Sequence, residues 1–141
     1  MQTFVPYKAI YKNAECLDDR RLGKQRVEAK QILRCLCGVT DGWKYHPAVK
    51  MWQGYEGCLA YYGYHTCWEW RQRGFKDSLM PEFVEFIYIV KASLEKPFER
   101  PPWWGGKIHK THQANLVRKD PEFYGPLFPN VDPSMPYYWP V

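Results

Sequence analysis

The sequence predicts an all-α fold: a compact single domain over residues 1–141, with about three principal helices and an irregular, proline- and aromatic-rich C-terminal tail. Two long segments in which apolar residues recur every three or four positions predict the helices. The prolines after Asp120 are too dense for regular structure there. A chain of 141 residues, 45% of them hydrophobic, is long enough to bury one core.

The first principal helix is predicted from about Leu17 to Cys37, after an extended arm over residues 1–13. Asp18 and Asp19 favour the helix N-terminus, because carboxylates interact favourably with its positive end, and Gly38 can end the helix. The apolar stripe that we expect to face the core consists of Leu22, Ala29, Leu33 and Leu36, with Ile32 at its edge.

The second principal helix is predicted from about Pro47 to Arg73, after a loop from Gly38 to Pro47. Its helical spacing is carried by Trp52, Tyr55, Leu59, Tyr62, Thr66 and Trp70. Gly54, Gly57 and Gly63 interrupt this pattern, and each costs about 1 kcal/mol relative to alanine inside a helix. We therefore expect another helix or a ligand to approach closely at these glycines.

The second half of the chain contains one further predicted helix, from about Ile108 to Arg118. Residues 82–94 are consistent with a short helix or a buried strand, because short apolar runs do not distinguish the two. The segment 97–106, PFERPPWWGG, cannot form a regular helix. The tail after Asp120 is too apolar to remain in solvent, so we expect it to pack over the helices.

Positive charge is concentrated in two parts of the chain, whose net charge is +5 at neutral pH. The first group, opposed within its segment only by Glu28, comprises Arg20, Arg21, Lys24, Arg26, Lys30 and Arg34. The second group comprises Lys107, His109, Lys110, His112, Arg118 and Lys119. Two basic segments brought together would suit the DNA backbone, while a solvated charged face is the ordinary alternative.

The five cysteines are odd in number and contain no C-x-x-C pair, which indicates neither a disulfide framework nor a zinc ribbon. The first residues lack the apolar core of a signal peptide, and no segment approaches the roughly 20 apolar residues of a membrane span. Free thiols without an export signal predict a cytoplasmic protein. Cys16 lies near a helix start and is a weak candidate nucleophile, since free cysteines are usually small buried hydrophobes.

Arg26 is the most informative charged residue of the first helix, because it lies beside the apolar stripe. A charge in that position is costly unless it is paired. Two interpretations stay open. In the first, Arg26 extends past the edge of the core to solvent or pairs with a buried acid; in the second, it lies at the rim of a cleft and contacts a base or a phosphate. His109 and His112 could share a metal ion, but no carboxylate or cysteine at ligand spacing accompanies them, and no metal site is predicted.

Three segments together resemble the pyrimidine-dimer DNA glycosylase/AP lyase family. They are LDDRRLGKQRVEA at 17–29, HPAVKMWQGYEGCLAYYG at 46–63 with its continuation RQRGF at 71–75, and HQANLVRKDPEFY at 112–124. The resemblance implies a compact helical protein that acts on double-stranded DNA, without metal or cofactor, and we expect a monomer. Enzymes of this family kink DNA, flip a nucleotide and attack the sugar C1′ with the N-terminal α-amine, which forms a Schiff base before β-elimination.

The resemblance also assigns residues. Arg26 matches the family's arginine beside the catalytic carboxylate, Lys30 a second basic DNA contact, and Lys119 a C-terminal lysine contact. Arg20 stands where the family has a histidine, and Asn115 replaces an arginine, which weakens one phosphate contact.

The catalytic pair departs from the family pattern. The bulky Gln2 should leave Met1 in place, so the Met1 α-amine takes the position of the nucleophile. Val27 occupies the ungapped position of the family's catalytic glutamate, and Glu28 is its neighbour. Glu28 is therefore the preferred candidate for the catalytic acid, and Asp18 and Asp19 are the alternatives. An ion pair of Glu28 with Lys24, four residues earlier, is an equally weighted structural reading.

Three functional hypotheses follow. The first is a glycosylase with lyase activity, with Met1, Glu28 and Arg26 as catalytic residues and with DNA contacts from Arg20, Arg21, Lys24, Lys30, Asn115, Arg118 and Lys119. The second is a DNA-binding module that recognises distorted or modified DNA without reaction, which Val27 at the acid position favours. The third is a glycosylase adapted to a modified pyrimidine other than the dimer.

Overall fold

The computed structural model describes all 141 residues, of which 53% are helical and none forms a β-strand, so the predicted all-α fold is confirmed. The helices are α1 (Ile10–Glu15), α2 (Asp19–Leu36), α3 (Pro47–Lys50), α4 (Glu56–Gln72), α5 (Met80–Ser93), α6 (Ile108–Lys119) and α7 (Pro121–Tyr124). Four helices, not three, have 12 or more residues. No helix combines the length and the apolar character that crossing a bilayer requires.

Helix α2 forms within two residues of its predicted bounds, because its local signals agree with one another. Asp18 caps the helix by accepting a hydrogen bond from the Arg21 N–H at 3.4 Å. The predicted stripe forms the core face, with Leu22, Ala29, Ile32 and Leu33 buried and Leu36 half-buried. This face packs against α4, which also contacts α1 and α5 and is thus the central helix.

The prediction of one unbroken helix from Pro47 to Arg73 is wrong, because α3 and α4 are separated by a turn. Gly54 in this turn has a φ of +87°, a left-handed conformation that the interior of a right-handed helix cannot contain. The close approach that we expected at the other glycines is found. A Cβ on Gly63 would lie 2.4 Å from the Phe83 ring, so α5 packs directly on the α4 backbone there.

Phe83 also explains why residues 82–94 belong to a helix. Its fully buried ring faces Gly63, and the rest of α5 continues the helical spacing with Val90 buried. The segment 97–106 contains no helix, as predicted, and α6 extends one residue beyond its predicted end.

The tail after Asp120 is irregular except at its start, where α7 corrects the prediction of no regular structure. Asp120 caps this short helix by accepting from the Phe123 N–H at 3.1 Å, and Pro121 occupies a first-turn position that needs no donor. Tyr124 and Phe128 are buried, and Tyr138 packs on the main core, so the tail lies over the helices.

The N-terminal arm is shorter than predicted, because α1 begins at Ile10. Residues 2–6 are buried although they belong to no helix or strand, and Thr3 and Val5 have no exposed surface. Buried backbone groups need hydrogen-bond partners, and a segment without a helix or sheet must find them on side chains. The arm finds these partners on α2, α4 and α6, and this arrangement forms the candidate site.

Candidate active site

Gln25 on α2 fixes the arm through hydrogen bonds to backbone groups of two arm residues. The side-chain oxygen accepts from the Phe4 N–H at 2.8 Å, and the side-chain nitrogen donates to the Gln2 carbonyl at 2.9 Å. The Tyr62 hydroxyl from α4 lies 2.7 Å from the Gln25 oxygen and 2.9 Å from the Phe4 carbonyl. All of these groups are buried, so the arm has one position along α2.

Two histidines of α6 hold the next residue of the arm. His112 Nδ1 accepts from the Val5 N–H at 2.9 Å, and burial lowers the pKa of His112 to about 3, which keeps the ring neutral. His109 Nε2 accepts from the Gly105 N–H at 2.8 Å, so its Nδ1 carries the proton and donates to the Val5 carbonyl at 2.7 Å. Both rings are thus committed to the backbone, and no three His, Cys, Asp or Glu side chains form a group that could hold a metal ion.

The arm begins in a cavity of about 470 Å³, which we call the amino-end cavity. Met1, Gln2 and Phe4 of the arm contribute to its wall. Four cationic side chains line it, namely Arg20, Arg21, Lys24 and Lys119. Its remaining wall consists of Gln25, Glu28, His46, Tyr137 and Trp139. The first turns of α2, the end of α6 and the tail therefore meet around the amino end of the chain.

Glu28 is the one carboxylate in the amino-end cavity. Its Oε2 accepts from the Gln2 N–H and from the Gln25 side-chain nitrogen, both at 3.1 Å. Glu28 forms no ion pair with Lys24, so the reading of a helical i,i+4 pair is wrong. Val27, which occupies the ungapped position of the family's glutamate, is 38% exposed and lies outside the cavity.

The two alternative acids are used elsewhere. Asp18 caps α2 and accepts from the Tyr124 hydroxyl, and Asp19 pairs with Arg73 at 2.9 Å. Neither aspartate lines the cavity. Cys16, the weak candidate nucleophile, is also removed from consideration, because burial raises the pKa of its thiol to about 12.

Three of the four cavity cations are free to bind an anion. Arg20, Lys24 and Lys119 form no ion pair with a protein carboxylate, while Arg21 is shared with Asp18 at 3.2 Å. Unpaired cations around a concave surface attract phosphate groups. The three unpaired cations outnumber the one carboxylate, so the cavity carries net positive charge.

The other predicted DNA contacts lie outside the amino-end cavity. The Arg118 guanidinium donates to the Pro133 and Met135 carbonyls of the tail and to the side-chain oxygen of the buried Asn115. Lys30 does not line the cavity either. Arg118, supported by Asn115, therefore anchors the tail.

Arg26 pairs with a buried acid, the first of its two interpretations. Its Nε and Nη2 lie 3.0 and 2.6 Å from Oδ1 of Asp77, whose side chain is fully buried, and its guanidinium lies 4.7 Å from the Trp70 ring centre. Burial alone would raise the pKa of Asp77, but hydrogen bonds from Arg26 and the Met80 N–H lower it. Arg26 does not line the cavity, so this geometry gives no support to its predicted substrate-orienting role.

Three parts of the cavity carry no clear signal in the sequence. His46 was remote in sequence from every other candidate, and its only local signal is its place before Pro47, where a side chain can cap a helix. The tail was expected to cover the helices, but its Tyr137 and Trp139 also line the cavity, with ring centres 6.1 Å apart. Gln25 likewise carried no signal that distinguishes it from a solvated helix residue.

The fold and the cavity together have the features of a nucleic-acid-processing protein: an all-α chain with free cations, aromatic side chains and one carboxylate around a single cleft. The model of the pyrimidine dimer DNA glycosylase family matches residues 1–82, which include the arm, α2, α3 and α4. The chain therefore belongs to this family, is a DNA glycosylase, and has DNA as its substrate. Searches among curated proteins and among solved structures found no match.

Proposed function

We propose that this glycosylase is also an AP lyase, which forms a Schiff base between the Met1 α-amine and the sugar C1′. It acts as a monomer on double-stranded DNA in the cytoplasm and uses neither metal nor cofactor. The observation that carries this proposal is the hydrogen bond from the Gln2 N–H to Glu28 Oε2 at 3.1 Å. Because Gln2 is bonded to Met1, the terminal amine lies within one residue, about 4 Å, of the nitrogen that the carboxylate binds.

The α-amine is suited to attack at neutral pH. As a class, α-amines have lower pKa values than lysine amines, by about two units, and are therefore the better nucleophiles at neutral pH. The lone pair of the Met1 nitrogen forms a bond to C1′, while the C1′–N1 bond breaks and its electron pair leaves with the base. Glu28 accepts the proton that the attached nitrogen then loses.

The same carboxylate carries the proton through the later steps. The nitrogen lone pair expels O4′ from C1′ to give an iminium ion, and protonated Glu28 returns its proton to O4′. The iminium withdraws electrons from C2′, so Glu28, again ionised, can remove a C2′ proton. The electron pair of that C–H bond forms the C1′–C2′ enamine, which expels the 3′ phosphate and breaks the strand.

The cations of the amino-end cavity would hold the DNA backbone. Arg20, Arg21, Lys24 and Lys119 line the cavity beside the proposed nucleophile, which supports contacts to the phosphates that flank the flipped nucleotide. Extrusion of a damaged base costs less than extrusion of a paired one, so damaged sites are reached preferentially.

Borohydride trapping tests the proposal, because reduction converts the iminium into a stable amine. The wild-type protein should form a covalent adduct with a duplex that contains an abasic site, and acetylation of the α-amine should abolish it. Glu28→Gln should lower the trapping rate by about 100-fold or more. Glu85→Gln, which changes an exposed glutamate of α5 outside the cavity, is the matched control. Undiminished trapping by the acetylated protein would eliminate Met1 as the nucleophile.

A DNA-binding protein without strand cleavage is the second candidate, and the engagement of Arg26 by Asp77 favours it. This candidate predicts salt-sensitive binding to irradiated or abasic plasmid with no strand breaks. Nicking above a heat-killed control would reject it. Mass spectrometry of the bases released from irradiated, methylated and hypermodified DNA separates dimer repair from action on another pyrimidine.

A further inference from the structure

His46 is the one histidine of the amino-end cavity, and it comes from a different part of the chain than Met1 and Glu28. It is the residue before α3, and its Nδ1 accepts from the Ala48 N–H at 3.0 Å. A nitrogen that accepts a hydrogen bond carries no proton, so the neutral ring has its proton on Nε2. His46 therefore adds to the lining of the cavity a ring whose one free polar hydrogen is the Nε2–H donor and which has no free acceptor.

Two tryptophans contact the ring of His46 and restrict its orientation. Trp43 and Trp139 each contact it edge-on, with ring centres 5.8 Å from that of His46. Burial and the nearby terminal ammonium group lower the pKa of His46, while Glu28 acts in the opposite direction, and the net result favours the neutral ring. The donor is thus fixed in place before any substrate binds.

We propose that His46 is a further catalytic residue, whose Nε2–H donates a hydrogen bond to the carbonyl oxygen O2 of the departing pyrimidine. This inference rests on the proposed attack at C1′. The neutral ring cannot take the proton of the α-amine, because Nδ1 is occupied and Nε2 is protonated. Glu28 remains the base of the reaction, and His46 acts on the leaving group.

The reason for such a donor lies in where the charge develops. When the C1′–N1 bond breaks, its electron pair moves onto the base and is shared between N1 and O2. A positioned donor stabilises this charge more in the transition state than in the ground state, and one such donor contributes about 100-fold to 1,000-fold in rate. His46 keeps its proton throughout, and the base anion, once separated from C1′, takes a proton from water.

The test compares two DNA duplexes that differ only in the presence of the base. One contains a single pyrimidine dimer, and the other contains an abasic site at the same position. Under single turnover, His46→Ala should lower glycosidic cleavage of the dimer duplex, measured as alkali-labile strand breaks, by about 100-fold. Borohydride trapping on the abasic duplex, which has no base to expel, should stay unchanged.

The His46→Asn variant distinguishes the role of His46 as a hydrogen-bond donor from its role as the cap of α3. An asparagine at this position can still accept from the Ala48 N–H, but its short side chain does not reach the place of Nε2. It should therefore show the same selective loss as His46→Ala. Equal losses on both duplexes in both variants, or unchanged cleavage of the dimer duplex, would overturn the proposal.

The proposed function fails in a different way. If the wild-type protein cleaves the glycosidic bond but gives no trapped adduct, Met1 is not the nucleophile, while the comparison of cleavage between wild type and His46 variants still decides the role of His46. If the wild-type protein shows neither cleavage nor trapping on these duplexes, both proposals are rejected.

Discussion

The amino-end cavity is built from two chain ends that are held in opposite ways. Residues 2–6 of the arm are buried, and side chains of three helices bind their backbone through hydrogen bonds of 2.7 to 3.1 Å. Residues 133–141 of the tail include no buried residue. The tail is held by the Arg118 guanidinium and by aromatic contacts, and Tyr137 is 43% exposed.

This difference separates two requirements of an enzyme that handles a large, flexible substrate. A nucleophile must stay within a fraction of an ångström of its productive position, which requires the arm to be fixed by specific partners. A surface that receives DNA benefits from side chains that can adjust, and exposed aromatic rings of the tail meet this need. The fixed arm and the adjustable tail should therefore respond differently to substitution and to acid.

The largest effect is expected from Gln25→Ala, which removes the partners of the buried Phe4 N–H and Gln2 carbonyl. Each unsatisfied buried group costs about 1–3 kcal/mol, so the free energy of unfolding should fall by several kcal/mol in urea titrations. Because the amino end loses its fixed position, trapping on abasic DNA should fall by about 100-fold in the protein that remains folded. Gln31→Ala, on the same helix and without a side-chain hydrogen bond, is the control. Wild-type stability and trapping in Gln25→Ala would contradict the importance assigned to the arm.

An intermediate effect is expected when the pH is lowered, because protonation of His112 should reduce the stability of the folded protein. Its pKa of about 3 in the folded protein lies below the ordinary 6.5, so the unfolded chain binds more protons between these values. The contribution of His112 to stability is therefore complete above pH 6.5 and is lost as the pH falls toward 3, at up to about 1.4 kcal/mol per pH unit. Urea titrations between pH 4 and 7 measure this slope.

His112→Asn, which keeps an acceptor near the Nδ1 position for the Val5 N–H, should flatten the slope. Burial lowers the pKa of the other histidines as well, so a smaller slope of the same sign should remain; they are His46, His65 and His109. An identical slope in wild type and variant would show that the arm is not the acid-sensitive part.

The smallest effect is expected in the tail. Tyr137→Ala should weaken binding to a duplex with an abasic site by about 1 kcal/mol, roughly fivefold in Kd, because a stacking surface is lost. Tm should change little, since the residue is exposed and its ring contacts Trp139 and the Arg118 guanidinium but not the core. Tyr88→Ala, which alters a 70% exposed tyrosine of α5 outside the cavity, is the control. Equal binding by wild type and Tyr137→Ala would remove the tail from the DNA surface.

The sequence predicts those parts of the molecule whose determinants are local. The cap at Asp18 and the apolar stripe define α2 within two residues, and the prolines define the irregular tail. The glycines of the second segment correctly indicate close packing, but nothing local distinguishes Gly54, where the chain turns, from Gly63, where Phe83 packs.

The site depends on pairings between distant residues, and these are not readable from one sequence. In the sequence, Gln25 resembles the other polar residues of α2, and only its hydrogen bond to the Phe4 N–H of the arm distinguishes it. The partner of Arg26 is Asp77, 51 residues away, in a segment without any charge pattern of its own. Met1 and Glu28 could be proposed by resemblance, but only the packing distinguishes Glu28, which lines the cavity, from Val27, which does not.

The arm has a consequence for how the protein reaches its active state. It forms no helix or strand of its own, and its partners Gln25, Tyr62 and His112 belong to three different helices. We therefore expect the arm to dock after these helices have assembled. A partly folded chain would then lack a reactive amino end beside Glu28, so catalytic competence should appear late in folding.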